Sequence, residues 1–216
     1  MRTAGIIEEI AGDLLGMAGL PLAGTTAAVG ASAWSKLLEK RIDRARRILQ
    51  EEIARGTKSL SDVPDEELAS VAFRYLRAAT EGTARLNLRL MAATASGQAN
   101  GAGLYADEFL RWADLIANLR REEVIVLATL YREWNAFKGG GVNRLDAWPV
   151  AQDTLSREAG MDKKASNAIG TACLRTGLVQ IATGLSDGGH RLYPTSRLHT
   201  FMVLADVEGV LLRSEI

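Results

Sequence analysis

Ala159-Gly-Met-Asp162, then Lys163-Lys-Ala-Ser-Asn-Ala-Ile-Gly-Thr-Ala-Cys-Leu-Arg-Thr-Gly177, Leu178-Val-Gln-Ile-Ala182, Gly184-Leu-Ser-Asp-Gly-Gly189 and Arg191-Leu-Tyr-Pro-Thr195 is the stretch that decides the fold. Gly160 supplies a left-handed stop for the helix before it, and Asp162 can accept hydrogen bonds from the first free N–H groups of the helix after it. That second helix is expected over 163–176, with Ala165, Ile169, Ala172 and Cys173 inward and Lys164, Ser166, Asn167, Thr171 and Arg175 outward. Gly177 ends it. Leu178–Ala182 alternates as a strand does, the glycine-rich stretch 184–189 reads as a turn, and His190–Tyr193 reads as the return strand. Thr195 or Ser196 then caps a helix able to bury Leu198, Phe201, Met202, Leu204 and Ala205.

Upstream, Arg121-Glu-Glu opens a helix with Val124, Leu127, Tyr131 and Trp134 on one stripe, widened by Ile125 and Ala128. It is expected to stop at Lys138-Gly-Gly-Gly-Val142. These glycines are no phosphate loop, because no strand precedes them and no Gly-Lys-Ser/Thr follows. Pro149 to Gly160 reads as the next helix, with Val150, Leu155 and Ala159 inward.

In Leu174-Arg-Thr-Gly-Leu-Val179, the glycine-rich turn, Tyr193-Pro-Thr195, Leu198 and Phe201, the chain resembles the wing region of many bacterial winged-helix domains. The same part is also similar to the C-terminal part of abortive-infection alpha-like proteins. The first resemblance implies a winged helix-turn-helix with a small β-hairpin, and the second implies a role in phage defence. On such a domain the outward face of a second helix meets base edges and phosphates. Lys163, Lys164, Arg175 and Arg191 are therefore candidates for phosphate contacts, and Ser166, Asn167 and Thr171 for bases. Between Leu119 and Leu198 eleven Lys or Arg face eight Asp or Glu, a surplus compatible with duplex DNA but equally with a protein partner or self-association.

The whole chain has 26 Lys plus Arg against 26 Asp plus Glu, so any attraction to a polyanion must be local. With aromatics at 6% and Ala, Leu and Gly abundant, the core favours helices packed through small side chains, and the fold class is mainly α. One cysteine, Cys173, excludes an internal disulfide and a thiolate zinc cluster within a single chain. It fits a reducing cytoplasm, the expected location. Glu8, Glu9 and Asp13 interrupt the apolar core that a secretory signal requires.

Leu14 to Ser35 carries no ionisable side chain, and such a length would span roughly 33 Å as a helix. Its four glycines, with Thr25, Thr26 and Pro21, instead suggest a small-residue helical hairpin divided at Pro21. The alternative is a membrane-directed effector that inserts or self-associates through 14–35 and is held at the inner membrane. Gly12-x-x-x-Gly16 and Ala27-x-x-x-Ala31 are spacings that allow close helix approach in lipid. Lys36, Lys40, Arg41, Arg44, Arg46 and Arg47 follow, either as a cytoplasmic anchor or as the solvated face of a helix burying Leu37, Leu38, Ile42, Ala45, Ile48 and Leu49.

Ser61 or Asp62 can cap a helix whose first turn carries Asp65, Glu66 and Glu67. Leu68, Val71, Ala72, Tyr75, Leu76 and Ala79 follow helical spacing, which resumes at Leu86, Leu90 and Ala93 after a bend near Gly82. Ser96 to Gly103 reads as a loop, and Ala106 to Asn118 as a short helix presenting Phe109, Trp112 and Ile116. The expected organisation is a hairpin and basic helix over 1–60, central helices over 61–118 and a winged-helix-like domain over 119–216.

No catalytic constellation emerges. His190 and His199 have no Cys nearby and no His at i+4, so no metal or other cofactor is expected. Glu8/Glu9, Glu51/Glu52, Glu66/Glu67 and Glu122/Glu123 are adjacent pairs pointing about 100° apart on a helix, which reads as helix-start and surface charge. The expected function is non-enzymatic binding, in regulation or phage defence.

Overall fold

The structure, a computed structural model, describes residues 2–18, 27–55, 63–99, 105–136, 146–182 and 191–214. Among them the chain is mainly helical, with a small two-stranded antiparallel sheet near the C-terminus, and it divides into two compact units, Met1–Asn118 and Leu119–Ile216.

The first unit holds α1 (Arg2–Ala18), α2 (Ala27–Arg55), α3 (Asp65–Glu81), α4 (Arg85–Ala99) and α5 (Ala106–Ala117). Asp65, Glu66 and Glu67 fill the first turn of α3, where carboxylates meet the positive end of the helix dipole. Pro64 is the N-cap residue; the Ser61 or Asp62 cap lies outside the described residues. Gly82 does not bend a continuous helix. At φ 92° it takes the left-handed conformation and ends α3, its N–H donating to Ala79 O at 3.1 Å. The Arg41 guanidinium donates to Thr80 O at 2.8 Å, a cation at the negative end of the helix.

Side chains from Leu86 to Ser96 are all buried, so α4 is the axis of this unit, packed against α2, α3 and α5. The loop expected from Ser96 starts later, because α4 runs on through Gly97 to Ala99 with Ser96 and Gln98 buried. Packing on all sides overrides the weak helix preference of Ser and Gly. Asn87 Nδ2 donates to Ile116 O at 2.7 Å and the Tyr75 hydroxyl to Ala45 O at 2.9 Å, whereas the buried Gln98 amide has no hydrogen-bond partner among the described residues. Arg89 reaches Glu52 at 3.1 Å and Glu51 at 3.0 Å. Glu52 is 3% exposed, which corrects its assignment to surface charge.

Leu38, Ile42, Ala45, Ile48 and Leu49 of α2 are buried as the spacing predicts, whereas Leu37 is 40% exposed. It sits one residue, about 100°, away from the buried stripe begun by Leu38. The division at Pro21 lies outside the described residues. Among the described residues no helix is long and apolar enough to cross a membrane.

The second unit contains α6 (Arg121–Ala136), α7 (Ala147–Ala159), α8 (Lys163–Ala172), a 3-10 turn Cys173–Thr176, β1 (Val179–Ala182), β2 (Arg191–Pro194), α9 (Ser196–Leu204) and α10 (Val207–Ser214). α6 is its centre, touching α7, α8, β2, α9 and α10. Val124, Val126, Leu127, Ala128 and Leu130 of α6 are buried. The triple-glycine turn lies outside the described residues, as does the hairpin turn at 184–189.

α7 begins at Ala147, two residues before the expected Pro149, which stands in the first turn where its missing N–H has no helical partner to lose. The inward face is the stripe Trp148, Ala151 and Leu155, at i, i+3 and i+7; Val150 and Ala159, expected inward, lie off it and are exposed. Gly160 at φ 65° ends the helix, and the Asp162 carboxylate accepts from Ala165 N at 2.7 Å. β1 pairs with β2 in the register Val179↔Pro194 and Ile181↔Leu192, the return strand running through Pro194, one residue past the expected Tyr193. Thr195 caps α9, its Oγ1 accepting from Leu198 N at 3.3 Å. Asp206, at φ 41°, then turns the chain into α10, which the sequence pattern did not separate from α9.

Candidate nucleic-acid interface

The candidate surface is built on α8. Its inner side is not the Ala165–Ile169–Ala172 face that its spacing suggested but Ser166, Gly170 and, just past its end, Cys173, all buried. Gly170 explains the difference. A Cβ there would stand 2.4 Å from Leu192 Cδ1 and 2.9 Å from Trp148 Cη2, so the bare backbone lets α8 lie directly against α7 and β2. Ala is apolar enough to be read as core, yet here the side without a side chain is the one that packs.

Ser166 is therefore not an outward base reader. Its hydroxyl donates to Lys163 O at 3.1 Å and accepts from Gln152 Nε2 at 3.3 Å inside the α7–α8 contact. Asn167 is exposed, but its carbonyl oxygen accepts from Trp148 Nε1 at 3.2 Å and Gln152 Nε2 at 3.0 Å. Those bonds fix the amide plane and leave its N–H groups as the available donors. Lys163, Asn167 and Thr171, at i, i+4 and i+8, form an exposed stripe with Lys164 beside it. Lys163 Nζ lies 3.1 Å from Asp153 Oδ1, both side chains about two-thirds exposed, a pairing that solvent keeps weak. Among the described residues Lys164 has no ion-pair partner.

Arg175 is turned away to a structural task. Its Nη1 and Nη2 meet Glu123 Oε1 and Oε2 at 2.5 and 2.8 Å, and Nη1 also donates to Ala172 O at 2.7 Å. Glu123 is 3% exposed, which corrects its reading as surface charge. The Arg175 hydrogen bonds hold its carboxyl below the ordinary value against the opposing effect of burial, helped by the N–H of Arg120. Spacing along a helix could not reveal a partner on another element. Cys173 lies against this pair; burial first, then the Glu123 charge, pushes its thiol up to about 12, so it stays protonated.

The hairpin is fixed to the rest of the unit. Trp134 of α6 stacks on Tyr193 of β2 with centroids 6.2 Å apart, and the Tyr193 hydroxyl donates across the strands to Gln180 Oε1 at 2.7 Å. Tyr131 shares a 2.5 Å hydrogen bond with His199 Nδ1, joining α6 to α9. His190 lies outside the described residues. Arg191 starts β2 opposite Ala182 and is half-buried. Arg197, which the sequence reading passed over, is exposed, and its guanidinium reaches to within 3.7 Å of the Cβ position at Gly177, the foot of the hairpin.

A groove of about 640 Å³ between α6, α7 and α10 has an apolar floor of Ile125, Ala128, Leu155 and Met161 and contains none of the candidate residues. Among the described residues no three His, Cys, Asp or Glu side chains gather as metal ligands. Comparison with known proteins gives no match among family models, curated proteins or solved structures.

Proposed function

We propose that residues 119–216 act as a winged helix-turn-helix and that the protein works by binding duplex DNA in a regulatory or phage-defence role, without catalysing a reaction. What carries this reading is the division of α8. One side is locked to Trp148 and Leu192 through Gly170, while Lys163, Lys164, Asn167 and Thr171 are left to solvent. A helix held this rigidly can present donors to base edges and cations to phosphates, with Arg191 and Arg197 beside it on the hairpin and its foot. A protein partner on the same face is the second reading, favoured by Asp153, which partly offsets the positive field of Lys163.

The test is fluorescence anisotropy of a labelled duplex titrated with the full chain over a range of salt. Affinity is expected to fall with a log–log slope of about −0.9 per phosphate contacted. Lys163→Ala with Lys164→Ala should make that slope shallower by about two and weaken binding at least about tenfold at moderate salt. No binding at low salt, or a double variant with an unchanged slope, would remove DNA from this face and leave the protein partner.

A further inference from the structure

Gly170 is a helical glycine that packing requires; the glycines of α1 are not. A Cβ added at Gly5, Gly12 or Gly16 would meet nothing within 4 Å. At i, i+7 and i+11 these three share an exposed face opposite Ile7, Ala11 and Leu14, the side chains through which α1 is buried, with Ile6, Ile10 and Leu15 half-buried along its edges. Each glycine lowers the helix–coil equilibrium about fivefold relative to Ala and gains no close contact in return. The helix dipole gives no help, since the first turn of α1 holds no acid and its last turn no base. The seat beneath is imperfect as well. A cavity of about 10 Å³ lies under Ile7, walled by Leu49 and Ile53 of α2, Leu68, Val71 and Ala72 of α3 and Ala95 of α4. At the flank Arg46 of α2 pairs with Glu8, whose side chain is 52% exposed, so solvent weakens the contact. The buried Arg46 Nε has no hydrogen-bond partner among the described residues.

We propose that α1 is a releasable strap: it undocks as a unit from the trough between α2 and α3 while α2 to α5 keep their fold, and its return closes the trough again. The packing of the unit allows this. The main neighbours of the central α4 are α2, α3 and α5, and α1 sits outside that set, on α2 and α3. Its departure therefore leaves the axis of the unit covered and opens one apolar surface, floored by Leu49, Leu68, Val71, Ala72 and Ala95, all buried while α1 is in place. The 17 residues of α1 make that trough about 25 Å long. The opening belongs to the low-stability end of the molecule, where local release is separate from global unfolding. It is independent of any DNA binding by 119–216.

The experiment is hydrogen–deuterium exchange of the full chain, followed by mass spectrometry and corrected for intrinsic rates. Amides of residues 7–17 are expected to exchange at least about a hundredfold faster than those of α4, through an opening that leaves α2 to α5 protected. Gly5→Ala with Gly12→Ala and Gly16→Ala should slow that exchange about a hundredfold, at about fivefold per glycine. Ile7→Asp, which places a charge on the buried face, should strip protection from α1 and leave α3, α4 and α5 protected. Ala72→Cys reports on the trough itself. Iodoacetamide should alkylate it faster than Cys173, the buried thiol of the same chain, and the three glycine substitutions should slow that reaction about a hundredfold. The proposal is overturned if α1 exchanges as slowly as α4, if the three glycine substitutions leave its exchange unchanged, if Ile7→Asp strips protection from α3 to α5 as well, or if Ala72→Cys is alkylated no faster than Cys173. Protection of α1 that rises with protein concentration would overturn it in favour of a second copy packed on the glycine face.

Discussion

Arg175 and Glu123 carry the clearest consequence at the scale of single residues. Their two-point contact at 2.5 and 2.8 Å ties the 3-10 turn to α6, and the carboxylate it satisfies is almost wholly buried. Because Arg175 is itself 46% exposed, solvent weakens the attraction, and Arg175→Ala is expected to cost about 1–2 kcal/mol, below the range for a fully buried pair. The sign with pH follows from the lowered carboxyl of Glu123. Its stabilisation is complete above the ordinary value of 4.5 and is lost as pH falls through the lower folded value. Urea unfolding of wild type and Arg175→Ala should therefore show a gap at neutral pH that narrows in strong acid; an equal gap at both would mean that packing, not charge, is what Arg175 supplies. The same geometry predicts that Arg175→Ala changes DNA affinity far less than Lys164→Ala. Neither Glu123 with Arg175 nor Glu52 with Arg89 was legible in the sequence. The adjacent carboxylates looked like surface charge because each partner lies on a different helix or turn, dozens of residues away.

At the scale of elements, the signals that depend on one residue's backbone were readable in advance. Gly160 and Gly177 end their segments at positive φ, Asp162 and Thr195 cap the helices that follow, and the antiparallel strands flank the glycine-rich stretch. Which face of a helix turns inward was less legible, because it depends on what the helix meets. On α7 Trp148 lies inside and Val150 outside, and Trp148 with Leu192 leaves room for α8 only where Gly170 and Ser166 turn toward them. Gly170→Ala tests this packing. Helix propensity alone would reward the change by about 1 kcal/mol. Collision with the buried Trp148 ring and the Leu192 methyl should exceed that gain, for a net loss of about 1–3 kcal/mol in chemical denaturation. Adding Leu192→Ala should cost less in the Gly170→Ala background than in the wild type, since it relieves the clash. A more stable Gly170→Ala protein would show that α8 is not seated on β2 as described.

For the whole molecule, the equality of 26 basic and 26 acidic residues conceals a sorted distribution. Arg41, Arg46, Arg89 and Arg175 are drawn into capping and ion pairs that hold helices and turns together. Lys36, Lys40, Arg44 and Arg47 of α2 and Lys163 and Lys164 of α8 stay exposed, as do Arg85, Arg111, Arg120 and Arg121 elsewhere. Composition correctly indicated a mainly helical chain, but separating structural cations from exposed ones required the partners to be seen. The central claim is that the α8 face is the one that meets DNA. Amide chemical-shift mapping by NMR on the full chain, titrated with a short duplex at low salt, tests it most directly. The account predicts perturbations concentrated at 163–171 and on the strands 179–182 and 191–194, reversed by added salt. Perturbations centred on α2 with α8 silent, or none anywhere along the chain, would contradict it.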